Sequence, residues 1–126
     1  PERIRYFQDD ATRYEEMIRL GAFGQITTGS LLGTFGETAR EFSEELLRKG
    51  LVHVLASDGH NVRGRHPRMG EARDACAEQV GEAYAAAMTV DAPRALLEGE
   101  EPVLPEISVP RTRSRGSFLS RWLRRG

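Results

Sequence analysis

"LVHVLASDGHNVRGRHP", residues 51–67, sets an apolar run directly against a polar one. Residues 51–57 are apolar almost throughout rather than alternating, as a strand buried on both faces of a parallel sheet requires. Asp58, His60, Asn61, Arg63, Arg65 and His66 then crowd into nine positions. In parallel α/β folds, loops leaving the carboxyl ends of strands collect functional groups, because the scaffold fixes their origin while their sequence varies. The stretch therefore predicts a central strand with a candidate site at its end.

The flanking sequence supplies partners for that strand. "DATRYEEMIRL" (10–20) puts Tyr14, Met17 and Ile18 at helical spacing, with Asp10 as cap and Gly21 as stop. "AFGQITT" (22–28) has the β-branched and aromatic content of a short strand, and the glycine-rich loop "GSLLGTFG" (29–36) follows. Thr34 and Glu37 have capping-box spacing and open a helix whose apolar face is Ala39, Phe42 and Leu46, ending at Gly50. Residues 69–88 predict the longest helix, with Ala72, Cys76, Val80, Ala83, Tyr84 and Ala87 on one face, and "APRALLEG" (92–99) a shorter one. Strand, helix, strand, helix in that order implies right-handed βαβ packing and the α/β class, with "RIRYF" (3–7) counted as a third strand or left out.

At 126 residues, 39% of them hydrophobic, the chain suits one domain. The net charge of −1 gives no global pull toward nucleic acid, but six arginines and no acid follow Glu106, leaving residues 1–106 at −7. Arginine supplies 17 of the 18 basic residues, a bias that base composition explains as well as function does. The single cysteine excludes an internal disulfide framework. No apolar run approaches the roughly 18 residues that span a bilayer and no signal peptide opens the chain, so the expectation is a cytoplasmic protein.

Asp58 and His60 pair a hard carboxylate with a borderline imidazole, a combination suited to Zn, Mn or Fe, although two ligands alone do not hold a catalytic metal. Arg63 and Arg65 add planar, permanently charged forks that match phosphate oxygens. The alternative is that Asp58 caps a turn while His60 and the arginines are solvated. From the residues alone the two readings stand level.

"SDGHN" after an apolar strand, with an arginine five residues beyond the histidine, resembles the closing motif of the bacterial PHP-family tyrosine-protein phosphatases (polymerase and histidinol phosphatase superfamily, CpsB type). "PERIRYFQDD" resembles the family segment in which a metal-binding histidine directly precedes Pro-Glu-Arg, "GQITTGSLLGTFG" its glycine-rich loop, and "APRALLEG" its closing helix. The resemblance covers residues 1–99 in order. It implies the carboxyl-terminal part of a distorted (β/α)7 barrel, and a metal-dependent phosphatase that uses manganese or another divalent metal in the control of capsular or extracellular polysaccharide. It further implies Asp58 and His60 as metal ligands and Arg3 and Arg65 as the residues that hold the phosphoryl group. The implied partner is a phosphotyrosine protein, a bacterial tyrosine kinase of polysaccharide export. The family's early His-x-His motif has no counterpart here. The expectation is therefore the carboxyl-terminal part of a longer protein, with a multinuclear cluster completed upstream of Pro1 and a chain that is inactive alone.

Other signals are weaker. Cys76 lies on the apolar helical face, and Glu82 stands six residues on where a cysteine phosphatase needs arginine, so Cys76 is a core thiol. His53 reads as a packed strand residue and His66 as a solvated loop residue. "TTGSLLG" lacks the lysine and spacing of a P-loop and reads as a tight connection. From Glu100 the text turns rich in Pro, Ser and Arg and reads as a linker or disordered tail over 100–126. Its last segment, if helical over 117–125, gathers Phe118, Leu119, Trp122 and Leu123 beside arginines. Weak contact of residues 111–125 with an anionic membrane, and peripheral localisation, is then open against a tail that binds nothing. The sequence also admits two alternatives to the tyrosine phosphatase: a phosphoesterase of the same fold acting on another substrate, and a non-catalytic module binding a partner or membrane.

Overall fold

The computed structural model describes residues 1–108. Its centre is a pair of parallel strands, β1 (Gln25–Thr27) and β2 (Val54–Ala56), in the register Gln25 to Val54, Ile26 to Leu55 and Thr27 to Ala56. Both strands lie inside the stretches expected for them and are shorter. His53 and Val54 amides converge on the Gly24 carbonyl (2.7 and 3.0 Å) to start the pairing, and the chain turns helical at Thr28 after β1. Short helices α1 (Arg5–Asp9) and α2 (Thr12–Arg19) precede the sheet. "RIRYF" thus runs into a helix rather than a third strand, and among the described residues the sheet has two strands.

The parallel crossover is made by α3 (Thr28–Leu31) and α4 (Glu37–Arg48). The expected capping box does not form: the Thr34 amide donates to the Gly29 carbonyl at 2.7 Å, and the Glu37 carboxylate pairs with Arg40 instead of reaching back. The apolar stripe behaves as its period requires, burying Ala39, Phe42, Leu46 and Leu47 in the core. Ile26, Leu46, Leu47, Val52, Leu55, Val80 and Met88 form the centre of the core, each contributing about 2 kcal/mol by leaving water. Tyr14 and Tyr84 hydroxyls donate to the Leu51 and Val52 carbonyls (3.1 and 3.2 Å), closing the polar groups that lead into β2, and burial pushes both phenols up to about 12.

The long helix expected over 69–88 breaks. α5 (Met69–Val80) stops at Gly81, whose φ of 93° leaves the helical region, and α6 (Glu82–Ala86) resumes on a new phase. Ala83, expected on the apolar face, is consequently exposed, while Ala85 and Met88 are buried. A π turn (Ala87–Asp91) links α6 to α7 (Ala92–Glu98), which stops at Gly99 as expected. Cys76 is the core thiol foreseen, its pKa pushed up to about 11 by burial.

The break at Gly81 has a visible partner. A Cβ there would stand 2.4 Å from the Ser108 hydroxyl and 2.5 Å from its carbonyl oxygen, and the Ser108 amide donates to the Val80 carbonyl at 3.1 Å. Leu104 and Ile107 pack on the core alongside. The first part of the expected linker is thus docked through residue 108. The expected helix over 117–125 and the arginine-rich segment lie outside the described residues.

Candidate functional site

β2 delivers Asp58 to the surface at the carboxyl end of the sheet, with a φ of 49°, a left-handed value aspartate tolerates better than most residues. The carboxylate there is half-buried. Its Oδ2 pairs with the Arg65 guanidinium in a short contact and lies 3.6 Å from the Arg3 guanidinium. Residues 3, 58 and 65, remote in sequence, thus converge on one carboxylate oxygen.

His60 sits two residues on with Nδ1 2.7 Å from the Asp58 carbonyl oxygen and 3.9 Å from Oδ1. A carbonyl only accepts, so Nδ1 carries the proton of this bond, and Nε2 makes no hydrogen bond among the described residues. That arrangement, with one nitrogen anchored to backbone and the other free, is how metal-binding histidines are oriented. The donor chemistry of Asp58 and His60 fits a divalent metal as two ligands of a larger set. Among the described residues no group of three or more His, Cys, Asp or Glu side chains is positioned to hold an ion.

Asn61, which carries no assigned role in the sequence reading, organises this loop. Its Oδ1 accepts from the backbone amides of Arg63 (3.1 Å), Gly64 (2.7 Å) and Arg65 (3.2 Å), while the His60 amide donates to the Arg65 carbonyl at 2.8 Å. The loop is folded on itself so that Arg65 returns to Asp58. An asparagine followed three residues later by glycine was the available signal. Arg63 and His66 are both exposed; His66 borders a cleft of about 100 Å³ beside Asp58 and Arg65 that Thr28 and Phe35 also line.

Glu2 is the second residue missed, and it is 3% exposed. Its Oε1 accepts from the Thr27 amide (3.2 Å), the Thr27 hydroxyl (3.0 Å) and the Ser30 hydroxyl (2.6 Å), fastening the segment before Arg3 to the end of β1. Burial raises the Glu2 pKa. Hydrogen bonds from the Ser30 hydroxyl, the Glu2 backbone amide and the Thr27 amide act against burial, and the carboxyl titrates below its ordinary range. The three hydroxyls of "TTGS" were a visible signal, but not their partner. Thr28 serves the connection too, donating to the Ser57 carbonyl at 3.3 Å.

His53 belongs to the scaffold, as expected. Its Nδ1 accepts from the Gly24 amide at 2.9 Å, its ring meets Phe23 edge-on at 5.4 Å, and burial lowers its pKa.

Comparison with known proteins supplies the context. The family described as capsular polysaccharide synthesis, CpsB/CapC, matches residues 1–98. Tyrosine-protein phosphatase YwqE of Bacillus subtilis is 41% identical over 66 residues, covering 52% of this chain and 26% of the relative. Tyrosine-protein phosphatase CpsB of Streptococcus pneumoniae is 33% identical over 101 residues, 76% of this chain and 42% of the relative. A solved chain described under "Crystal structures of YwqE from Bacillus subtilis and CpsB from Streptococcus pneumoniae, unique metal-dependent tyrosine phosphatases" superposes with a TM-score of 0.76 at 32% identity over 86% of this chain and 44% of that one. The chain spans less than half the length of the curated relatives it matches.

Proposed function

This chain belongs to the CpsB/CapC family of capsular polysaccharide synthesis, and from that membership we propose that it supplies one side of the active site of a metal-dependent protein-tyrosine phosphatase. Its α/β unit, residues 1–99, is in this reading the carboxyl-terminal part of a distorted (β/α)7 barrel. What supports the reading is the convergence of Arg3 and Arg65 on Asp58, beside a histidine whose Nε2 is free.

Asp58 and His60 are the metal ligands in this proposal, with manganese the expected ion and the rest of a multinuclear cluster supplied from outside residues 1–108. A bound divalent metal supplies a Lewis acid and a water acidified toward neutral pH. Arg3 and Arg65 bind the phosphoryl group: its dianionic oxygens offer the guanidiniums the same partner that the Asp58 carboxylate offers now, with geometry that a fork matches in two bonds. The permanent positive charge at both arginines then offsets the charge that gathers on the equatorial oxygens during transfer. Asn61 and Glu2 hold the two arginines in place without touching the substrate. The natural substrate in this reading is a phosphotyrosine-bearing kinase of polysaccharide export, met in the cytoplasm, with residues 111–125 making weak contact with anionic membrane.

The test is hydrolysis of a phosphotyrosine peptide by a protein of the relatives' full length carrying this chain, with and without chelator. Activity should vanish with chelation and return with manganese, and Asp58→Ala or His60→Ala should lower turnover more than about 100-fold. Unchanged turnover in those variants would refute the ligand assignment. Preference for phosphoserine or sugar phosphate would move the reading to another phosphoesterase. Vesicle co-sedimentation that is equal for the chain and for the chain cut after Pro110 would remove the membrane contact.

A further inference from the structure

Phe35 has a ring that is 38% accessible and stands outside the hydrophobic core. The Arg3 guanidinium carbon lies 4.5 Å from its centroid and that of Arg65 5.8 Å, both inside the roughly 6 Å reach of a cation–π contact. The ring reaches this place because Gly29 lies beneath it: a Cβ at Gly29 would come within 2.7 Å of Phe35 Cε2. The Thr34 amide, bonded to the Gly29 carbonyl at 2.7 Å, fixes the backbone just before the ring.

We propose that Phe35 is a positioning residue whose ring seats both guanidiniums for phosphate. The inference rests on the phosphate-binding reading of Arg3 and Arg65. Two like charges meet at one carboxylate oxygen, and Arg3 stands at 3.6 Å, beyond hydrogen-bond length. Among the described residues the Arg3 guanidinium forms no hydrogen bond; it is held by the Asp58 ion pair at 3.6 Å and by the ring at 4.5 Å. A stacked guanidinium spends only its face, whereas a salt bridge spends its N–H groups. The ring therefore holds the Arg3 guanidinium without using its N–H groups, and shares Arg65 with the Asp58 carboxylate, whose place a phosphoryl group can take. It also keeps two cations together when the Asp58 carboxylate takes another partner, because the attraction comes from the ring quadrupole rather than from a charge that can be withdrawn.

The experiment replaces Phe35 in the 126-residue chain by mono-, di- and trifluorinated phenylalanine, which keeps the shape and progressively weakens the negative ring face. The unfolding equilibrium is measured with native arginines and in an Arg3→Met/Arg65→Met background. The unfolding constant should rise stepwise by about three- to tenfold across the series with native arginines, and stay within about twofold in the methionine background. Equal slopes in the two backgrounds would overturn the proposal. Inorganic phosphate, compared with chloride at equal ionic strength, should raise the unfolding midpoint, and the gain should shrink along the same series. A gain that does not change with fluorination would also overturn it. A fluorine slope confined to native arginines, with no phosphate gain in any variant, would uphold the seat and sink the phosphate reading of the arginines.

Discussion

Arg3 and Arg65 reach the same Asp58 oxygen from opposite kinds of support. Behind Arg3 is a buried carboxylate, Glu2, bonded to groups more than twenty residues away on β1 and α3. Behind Arg65 is an exposed loop whose bonds span two to four residues, gathered by Asn61. One arm is fixed by tertiary structure and the other by local geometry. The two should therefore fail differently: damage to the first spreads into the fold, and damage to the second stays in the loop.

The largest effect is expected from Glu2→Ala. Removing the carboxylate leaves the Thr27 amide and one of two buried hydroxyls without an acceptor, the Thr27 and Ser30 oxygens lying 2.9 Å apart, and should cost about 2–3 kcal/mol in urea unfolding. A loss under about 0.5 kcal/mol would erase the distinction between the arms. Asn61→Ala should lower global stability by no more than about 1 kcal/mol, yet raise amide exchange at Gly64 and Arg65 by about tenfold. Asn61→Asp, which keeps the acceptor, should restore protection; a global destabilisation matching that of Glu2→Ala would show that the loop belongs to the core after all.

Acid should separate the arms further. Because the Glu2 pKa is lowered on folding, its contribution to stability is complete above the ordinary value of 4.5 and is lost as the pH falls through the lowered folded value. Glu2→Gln should remove that component from the pH profile of stability; an identical profile would mean that Glu2 is not the group titrating. The smallest signal is His53, whose pKa burial depresses, so the folded state binds its proton later than the unfolded chain does. Its stabilising effect should be complete above 6.5 and decline below it, with the ring itself titrating under 6.5 by NMR. A His53 midpoint above that value would contradict its role as a neutral acceptor for Gly24.

The same local-against-remote contrast explains what could be read from the chain. The apolar run before Asp58, the stripe of α4 and the stop at Gly99 carry short periods, and each emerged close to its expected place. Asp58, His60 and Arg65 lie within eight positions, so their neighbourhood was legible too. Glu2 was not, because its partners are brought to it only by the fold. Gly81 misled for a related reason: glycine inside a helical pattern is tolerated often enough that only Ser108, 27 residues on, decides that the helix must break. The capping box at Thr34 failed because the turn that brings Phe35 over Gly29 uses the Thr34 backbone otherwise.

The contact between Val80 and Ser108 carries one more consequence. In an unbroken helix the Val80 carbonyl would accept the amide of Tyr84; here it accepts that of Ser108. The Val80 carbonyl is thus committed to the chain's return stretch, which packs so closely on Gly81 that a Cβ there would meet Ser108. The break at Gly81 therefore belongs to the return stretch as much as to the helix: a chain ending before residue 104 lacks the amide that takes the Val80 carbonyl.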